Sequence, residues 1–133
     1  MKQIVLMICL LFLCAPLRVH AASDNDIYML GKLIEAEAGN QDETGKRLVC
    51  DVVLNRVADP RFPDTVTDVI FQKNQFSVAW TGAIHGPEPS EETLKLVEEE
   101  LVDQVDYEAL FFCNFGYNGG TPLYIYGDHY FSK

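Results

Sequence analysis

Between residues 24 and 105 apolar side chains return every third or fourth position, and beyond residue 108 they no longer do. That change of spacing constrains the fold more than any other feature. The first stretch buries its apolar stripe as amphipathic helices; the second, short and aromatic, suits strands.

The helical part divides at turn residues. Residues 24–38 open with Ser23 and Asp26 in capping-box spacing and close at Gly39-Asn40. Residues 44–57 carry apolar side chains around a very wide arc, as expected of a central buried helix, and stop at Asp59-Pro60. A short helix over 65–71 precedes a loop running through Gly86-Pro87. Ser90 then caps a helix over 91–105, with Leu94, Val97, Leu101 and Val105 on one face. Short strands are expected within 109–115, 123–126 and 129–132, around the turns Asn118-Gly119-Gly120 and Gly127-Asp128. Helices first and a small antiparallel sheet last define an α+β class. A chain of 133 residues has room for one domain.

Residues 4–15 form an apolar run behind Lys2, about as long as the core of an export signal and too short for a membrane span. Val19-His20-Ala21 fits a cleavage site, so residues 1–21 read as a signal peptide and 23–133 as the working domain. The competing reading is an uncleaved anchor. The protein is therefore expected to be secreted or held in the cell envelope, touching membrane only through that segment. The signal contains Cys9 and Cys14, which leaves Cys50 and Cys113. These either pair, closing a loop of roughly 60 residues worth about 4 kcal/mol, or lie as buried free thiols. Without residues 1–21, 8 bases face 20 acids, a net charge of −12. That balance gives nucleic-acid binding no electrostatic support. His85 and His129 lack zinc-ligand spacing, so no metal or other cofactor is expected.

Glu37 is the most informative residue. Ile27, Leu30, Leu33, Ile34 and Ala38 define the apolar stripe of the first helix, and Glu37 lies inside it. Glu35 falls outside the stripe, near Lys32, where a solvated ion pair is expected. A carboxyl against apolar walls, in the negative last turn of a helix, resists ionisation and suits a general acid. The alternative is a structural pairing with a buried Arg56. Glu35 and Glu37 are two residues apart on a helix and cannot work as a facing carboxylate pair.

The segment 33–57, LIEAEAGNQDETGKRLVCDVVLNRV, resembles the start of the SleB/CwlJ-type cell-wall hydrolase domain. The likeness continues through Pro60-Arg61-Phe62-Pro63, Thr65-Val66, Val69-Ile70 and Gln75-Phe76-Ser77, and ends at Gly127-Asp128-His129-Tyr130-Phe131. The resemblance implies a mostly helical, lysozyme-like domain acting on the glycan strands of peptidoglycan. It implies an essential glutamate near a helix end, which aligns with Glu37, and lytic transglycosylation that leaves 1,6-anhydromuramic ends. A true glycoside hydrolase and a catalytically silent glycan-binding protein remain open. Gln41 departs from the pattern, standing where many relatives carry a second acid.

Further candidates for holding substrate are Gln75, Ser77, Asn55, Asn114, Trp80, Tyr117 and His129. Gln75 and Ser77 either bond sugar hydroxyls or cap a loop. Asn55 either holds the backbone around Glu37 or lies on a helix surface. Trp80 suits a substrate wall, and Asn114 follows an aromatic strand. Tyr117 either stacks on a sugar face or packs the sheet. His129 is either an interior hydrogen-bonding residue near the glutamate or a locally satisfied strand histidine. With no separate wall-binding segment evident, targeting would be weak or supplied by a partner protein.

Overall fold

The computed structural model describes residues 22–133. The expected signal peptide and cleavage site, with Cys9 and Cys14, lie outside the described residues. Helix α1 spans Asp24–Ala38, α2 Glu43–Ala58, α3 Val66–Ile70, α4 Ser77–Thr81 and α5 Glu91–Val102. A 3-10 turn, Ala83–His85, lies between α4 and α5. Strands β1 (Phe111–Cys113), β2 (Pro122–Tyr126) and β3 (His129–Ser132) form an antiparallel sheet in the order β1-β3-β2. The α+β arrangement expected from the spacing is the one found.

The caps account for the helix starts. The Ser23 hydroxyl accepts from the Asp26 amide while the Asp26 carboxylate receives the Ser23 amide, a complete capping box. Asp42 caps α2 through the Gly45 amide, and Ser90 caps α5 through the Thr93 amide. Helix α5 ends earlier than its spacing suggests. The Val105 amide donates to Glu100 Oε2 at 3.0 Å, so the chain turns back and Val105 becomes exposed rather than continuing the apolar face. The expected loop after α3 contains α4, a single turn too short for a periodic signal, with no side-chain cap at Phe76.

Helix α2 is the central element. One side joins Val49, Cys50 and Val53 to Leu30, Leu33 and Ile34 of α1, Val69 and Ile70 of α3, and Val97 of α5. Its other side sets Leu48 and Val52 against Ala109 and Phe131 of the sheet region. A helix with apolar layers on both sides needs the wide arc its sequence shows. Cys50 and Cys113 are free thiols, the first buried within the core and the second half-buried at the end of β1.

Gly31 sits inside α1, where an alanine would normally add about 1 kcal/mol of helix stability. Here a Cβ would lie 2.8 Å from Pro89 Cβ and 3.1 Å from Leu94 Cδ2. The proline ring cannot rotate away, so overpacking outweighs propensity. Gly31→Ala is expected to destabilise the fold by about 1 kcal/mol, read as a lower denaturant midpoint. A gain in midpoint would show that α5 shifts freely.

The core also holds an acid pair. Asp51 and Glu100 are fully buried and hydrogen-bonded to each other. Asp51 Oδ2 accepts the Asp106 amide at 2.8 Å, while Oδ1 receives no donor. A proton on Asp51, donated to Glu100, accounts for this geometry. Burial, reinforced by Glu100, holds the Asp51 carboxyl well above the usual range. A raised carboxyl pKa adds stability at pH values below the unfolded value near 4, and that contribution is lost as pH climbs through the folded value. An asparagine at this position would keep both hydrogen bonds without taking up a proton. Asp51→Asn is expected to stabilise the protein by about 2 kcal/mol at pH 8 and to lose that advantage toward pH 4. Chemical denaturation at the two pH values measures it; an equal effect at both would remove the proton from the account.

Candidate active site

Glu37 occupies the last turn of α1 and is half-buried. Burial raises its pKa, and no neighbouring charge contributes to the shift. Arg56, the alternative partner, is engaged elsewhere. Its Nε donates to the Leu110 carbonyl at 2.6 Å, and its guanidinium lies over the rings of Phe62, Phe76 and Phe111. Among the described residues Glu37 is therefore a carboxyl without an ion pair, in a setting that favours its protonated form.

Glu35 and Lys32 do not form the expected solvated pair. Glu35 accepts from the Thr93 hydroxyl and approaches Lys46 at 3.6 Å. Lys32 is buried and donates to the Pro87 carbonyl and to Glu88, both at 3.1 Å. The cause is α5 and the loop before it, which cover a flank of α1 that its stripe alone leaves to solvent.

The sheet positions the glutamate. His129 of β3 is 1% exposed, and its imidazole donates to the main-chain carbonyl of Glu37. Burial lowers its pKa, which favours the neutral ring. His129 is thus the interior hydrogen-bonding residue near the glutamate, too deeply buried to contact substrate. The turns on either side are joined as well. Gln41 Nε2 donates to Asp128 at 2.9 Å, and the Tyr126 hydroxyl donates to Asp42 at 2.9 Å. The amide of Gln41 thus serves as the donor that holds Asp128.

Asn55 is buried, and its side chain holds backbone other than that of Glu37. Its amide donates to the carbonyls of Asp106 at 3.2 Å and Ala109 at 2.9 Å, and its oxygen accepts from Gln104. It fastens the chain leaving α5 to the central helix. Gln75, Ser77, Asn114 and Tyr117 are exposed, and Trp80 on α4 is 55% exposed. Helix α4 packs beside α1, which brings Ser77 and Trp80 to the neighbourhood of the glutamate's helix. Tyr117 meets Tyr130 edge-on at 5.4 Å between ring centres. Phe62 lies against Arg56 and Phe111 and belongs to the interior packing.

Among the described residues, two surface hollows bear on the site. The larger, about 470 Å³, lies between α2 and α5 and is lined by paired charges such as Arg47, Glu43 and Glu99. The smaller, about 180 Å³, holds Arg56, Gln75, Phe112, Asn118 and Ser132. Sequence reasoning placed only Gln75 of these among the substrate candidates. Among the described residues no three histidine, cysteine or acidic side chains are grouped to hold a metal ion.

A spore cortex-lytic enzyme of Bacillus subtilis (strain 168) is 33% identical over 97 residues, covering 69% of this chain and 30% of that protein. One from Halalkalibacterium halodurans is 38% identical over 63 residues, covering 47% of this chain and 19% of that protein. The chain therefore spans less than a third of the length of these relatives. The catalytic domain of the germination-specific lytic transglycosylase SleB from Bacillus anthracis superposes with a TM-score of 0.73 at 29% identity, covering 86% of this chain and 98% of that domain. The catalytic domain of the Bacillus cereus SleB protein gives 0.74 at 28% identity, with 86% and 94% covered. The family model described as cell wall hydrolase matches residues 40–131, a region that begins just after Glu37. With most of its length matched by that model and its fold matching SleB catalytic domains, the chain belongs to the cell wall hydrolase family.

Proposed function

We propose that this protein is an exported enzyme that cleaves the glycan strand of peptidoglycan as a lytic transglycosylase, with Glu37 as its single acid and base. The observation that carries the reading is the unpaired, half-buried Glu37 carboxyl at the end of α1, whose pKa burial alone raises. Protonated Glu37 donates to the oxygen of the MurNAc–GlcNAc bond, and the bond breaks as the muramyl ring takes on oxocarbenium character. The carboxylate left behind removes the proton of the muramyl 6-hydroxyl, whose oxygen attacks C1. The product carries a 1,6-anhydro ring, no water is consumed, and Glu37 ends protonated.

The relatives' names supply the substrate class, since those proteins act on spore cortex. Domain limits of 23–133 and export through residues 1–21 belong to the same proposal. Gln75, Ser77, Trp80, Asn114 and Tyr117 remain its candidate sugar contacts.

Mass spectrometry of the muropeptides released from purified peptidoglycan by residues 22–133 tests it. Anhydromuropeptides from the wild type and none from Glu37→Gln are expected. Reducing-end products lost in the variant would make the enzyme a hydrolase with a second catalytic group. Binding without release, unchanged by the substitution, would make it an accessory glycan-binding protein.

A further inference from the structure

The hollow of about 180 Å³ beside the sheet is lined by two residues with buried polar groups that no group among the described residues answers. Arg56 is 3% exposed and Ser132 is 1% exposed. Arg56 Nη1 and Ser132 Oγ each lack a hydrogen-bond partner, and both residues line the same hollow. The guanidinium interacts with no carboxylate among the described residues, although the chain contains 20 acidic residues. Its faces are covered by Phe62, Phe76 and Phe111, with ring centres 4.9–5.2 Å from Cζ. Those rings exclude water and fix the plane of the fork. Burying an unpaired cation and a hydroxyl is costly unless something completes them.

We propose that this hollow is a binding site for one carboxylate of the substrate, carried by the peptide branches of the peptidoglycan strand. The inference rests on the proposed action on peptidoglycan and names a recognition element for it. The charge sets the ligand class. One guanidinium and neutral Gln75, Asn118 and Ser132 match a monoanion; a phosphate dianion would keep an uncompensated charge. A hollow of about 180 Å³ has room for a carboxylate on a short side chain. Packing links the hollow to the glutamate's surroundings: Phe112 forms one wall and lies edge-on to His129 at 5.0 Å, and His129 hydrogen-bonds the Glu37 carbonyl.

The test compares cleavage of intact peptidoglycan with cleavage of the same wall after its peptides have been removed enzymatically. Wild type, Ser132→Ala and Arg56→Lys are assayed on both, with thermal melts to identify any misfolded variant. Ser132→Ala removes one hydroxyl and is expected to fold. The wild type is expected to show about a tenfold higher KM on the stripped wall with little change in kcat. Ser132→Ala should lose most of that preference by raising KM on intact wall alone, and Arg56→Lys should lose all of it. Equal KM on both walls for the wild type, or equal losses on both for the variants, overturns the proposal. Inhibition by millimolar sodium acetate without discrimination between walls would make the hollow a site for free anions, and also overturns it. Should neither wall be cleaved, the activity reading fails separately. Sedimentation binding to the two walls then decides: preference for intact wall that Ser132→Ala abolishes supports the site, and equal binding overturns it.

Discussion

Glu37→Gln is expected to lower the rate of glycan cleavage by about three orders of magnitude, within the usual range for losing a positioned general acid. Glutamine keeps the size and the hydrogen-bonding capacity but has no proton to give. The side chain has no ion pair to lose, and the His129 bond reaches the main chain, so the fold should be unaffected. Stability should move the other way from activity. Because burial raises the Glu37 pKa, the native state favours its protonated form, and stability falls as pH rises through that value. The variant has no such dependence and should melt slightly higher than wild type at pH 8, with the difference shrinking at pH 4. In the wild type, cleavage should decline on the alkaline side as Glu37 loses its proton. Initial rates across pH, together with melts of both proteins, check all of this. Residual activity within tenfold of wild type would place the acid elsewhere.

The largest expected loss of stability follows from Arg47→Met. Arg47 Nη1 donates to Glu100 at 2.6 Å, and its Nη2 reaches Glu43 at 2.6 Å and Glu99 at 2.5 Å. These three contacts are not equivalent. The Glu100 side chain has 0% exposure and also serves Asp51 and the Val105 amide, whereas that of Glu43 is 72% exposed. Removing the arginine leaves a buried carboxylate without its cation, which costs about 3 kcal/mol even with some water entry. For a domain of this size that lowers Tm by roughly 10–15 °C. Glu43→Ala, by contrast, should leave Tm within error, as is usual for an exposed pair. Calorimetry of the two variants separates them; a small effect for Arg47→Met would mean that Glu100 is satisfied by its other partners.

What could be read from the sequence was local. The stripe of α1 is periodic, so Glu37 stood out as a carboxyl in an apolar row, and the caps at Ser23 and Ser90 lay beside the turns they close. The misreadings involve partners distant in the chain. Glu35 looked solvated because nothing near it announces Thr93, 58 residues on. Asn55 gave no sign of its bonds to Asp106 and Ala109, 51 and 54 residues away. Arg56 was recognised as buried, but the Phe62, Phe76 and Phe111 rings that surround it come from three separate segments. Helix α4 escaped notice because, unlike the equally short α3 with Thr65 at its start, it has no capping side chain to announce it.

The imidazole that fixes the Glu37 carbonyl belongs to β3, and more than ninety positions of chain separate the two. The proposed acid and its brace therefore come from distant parts of the chain. A chain interrupted before position 129 can build α1 and still lack the ring that steadies it. Such a fragment would carry the proposed acid without its brace, so the order at Glu37 depends on β3 having been made.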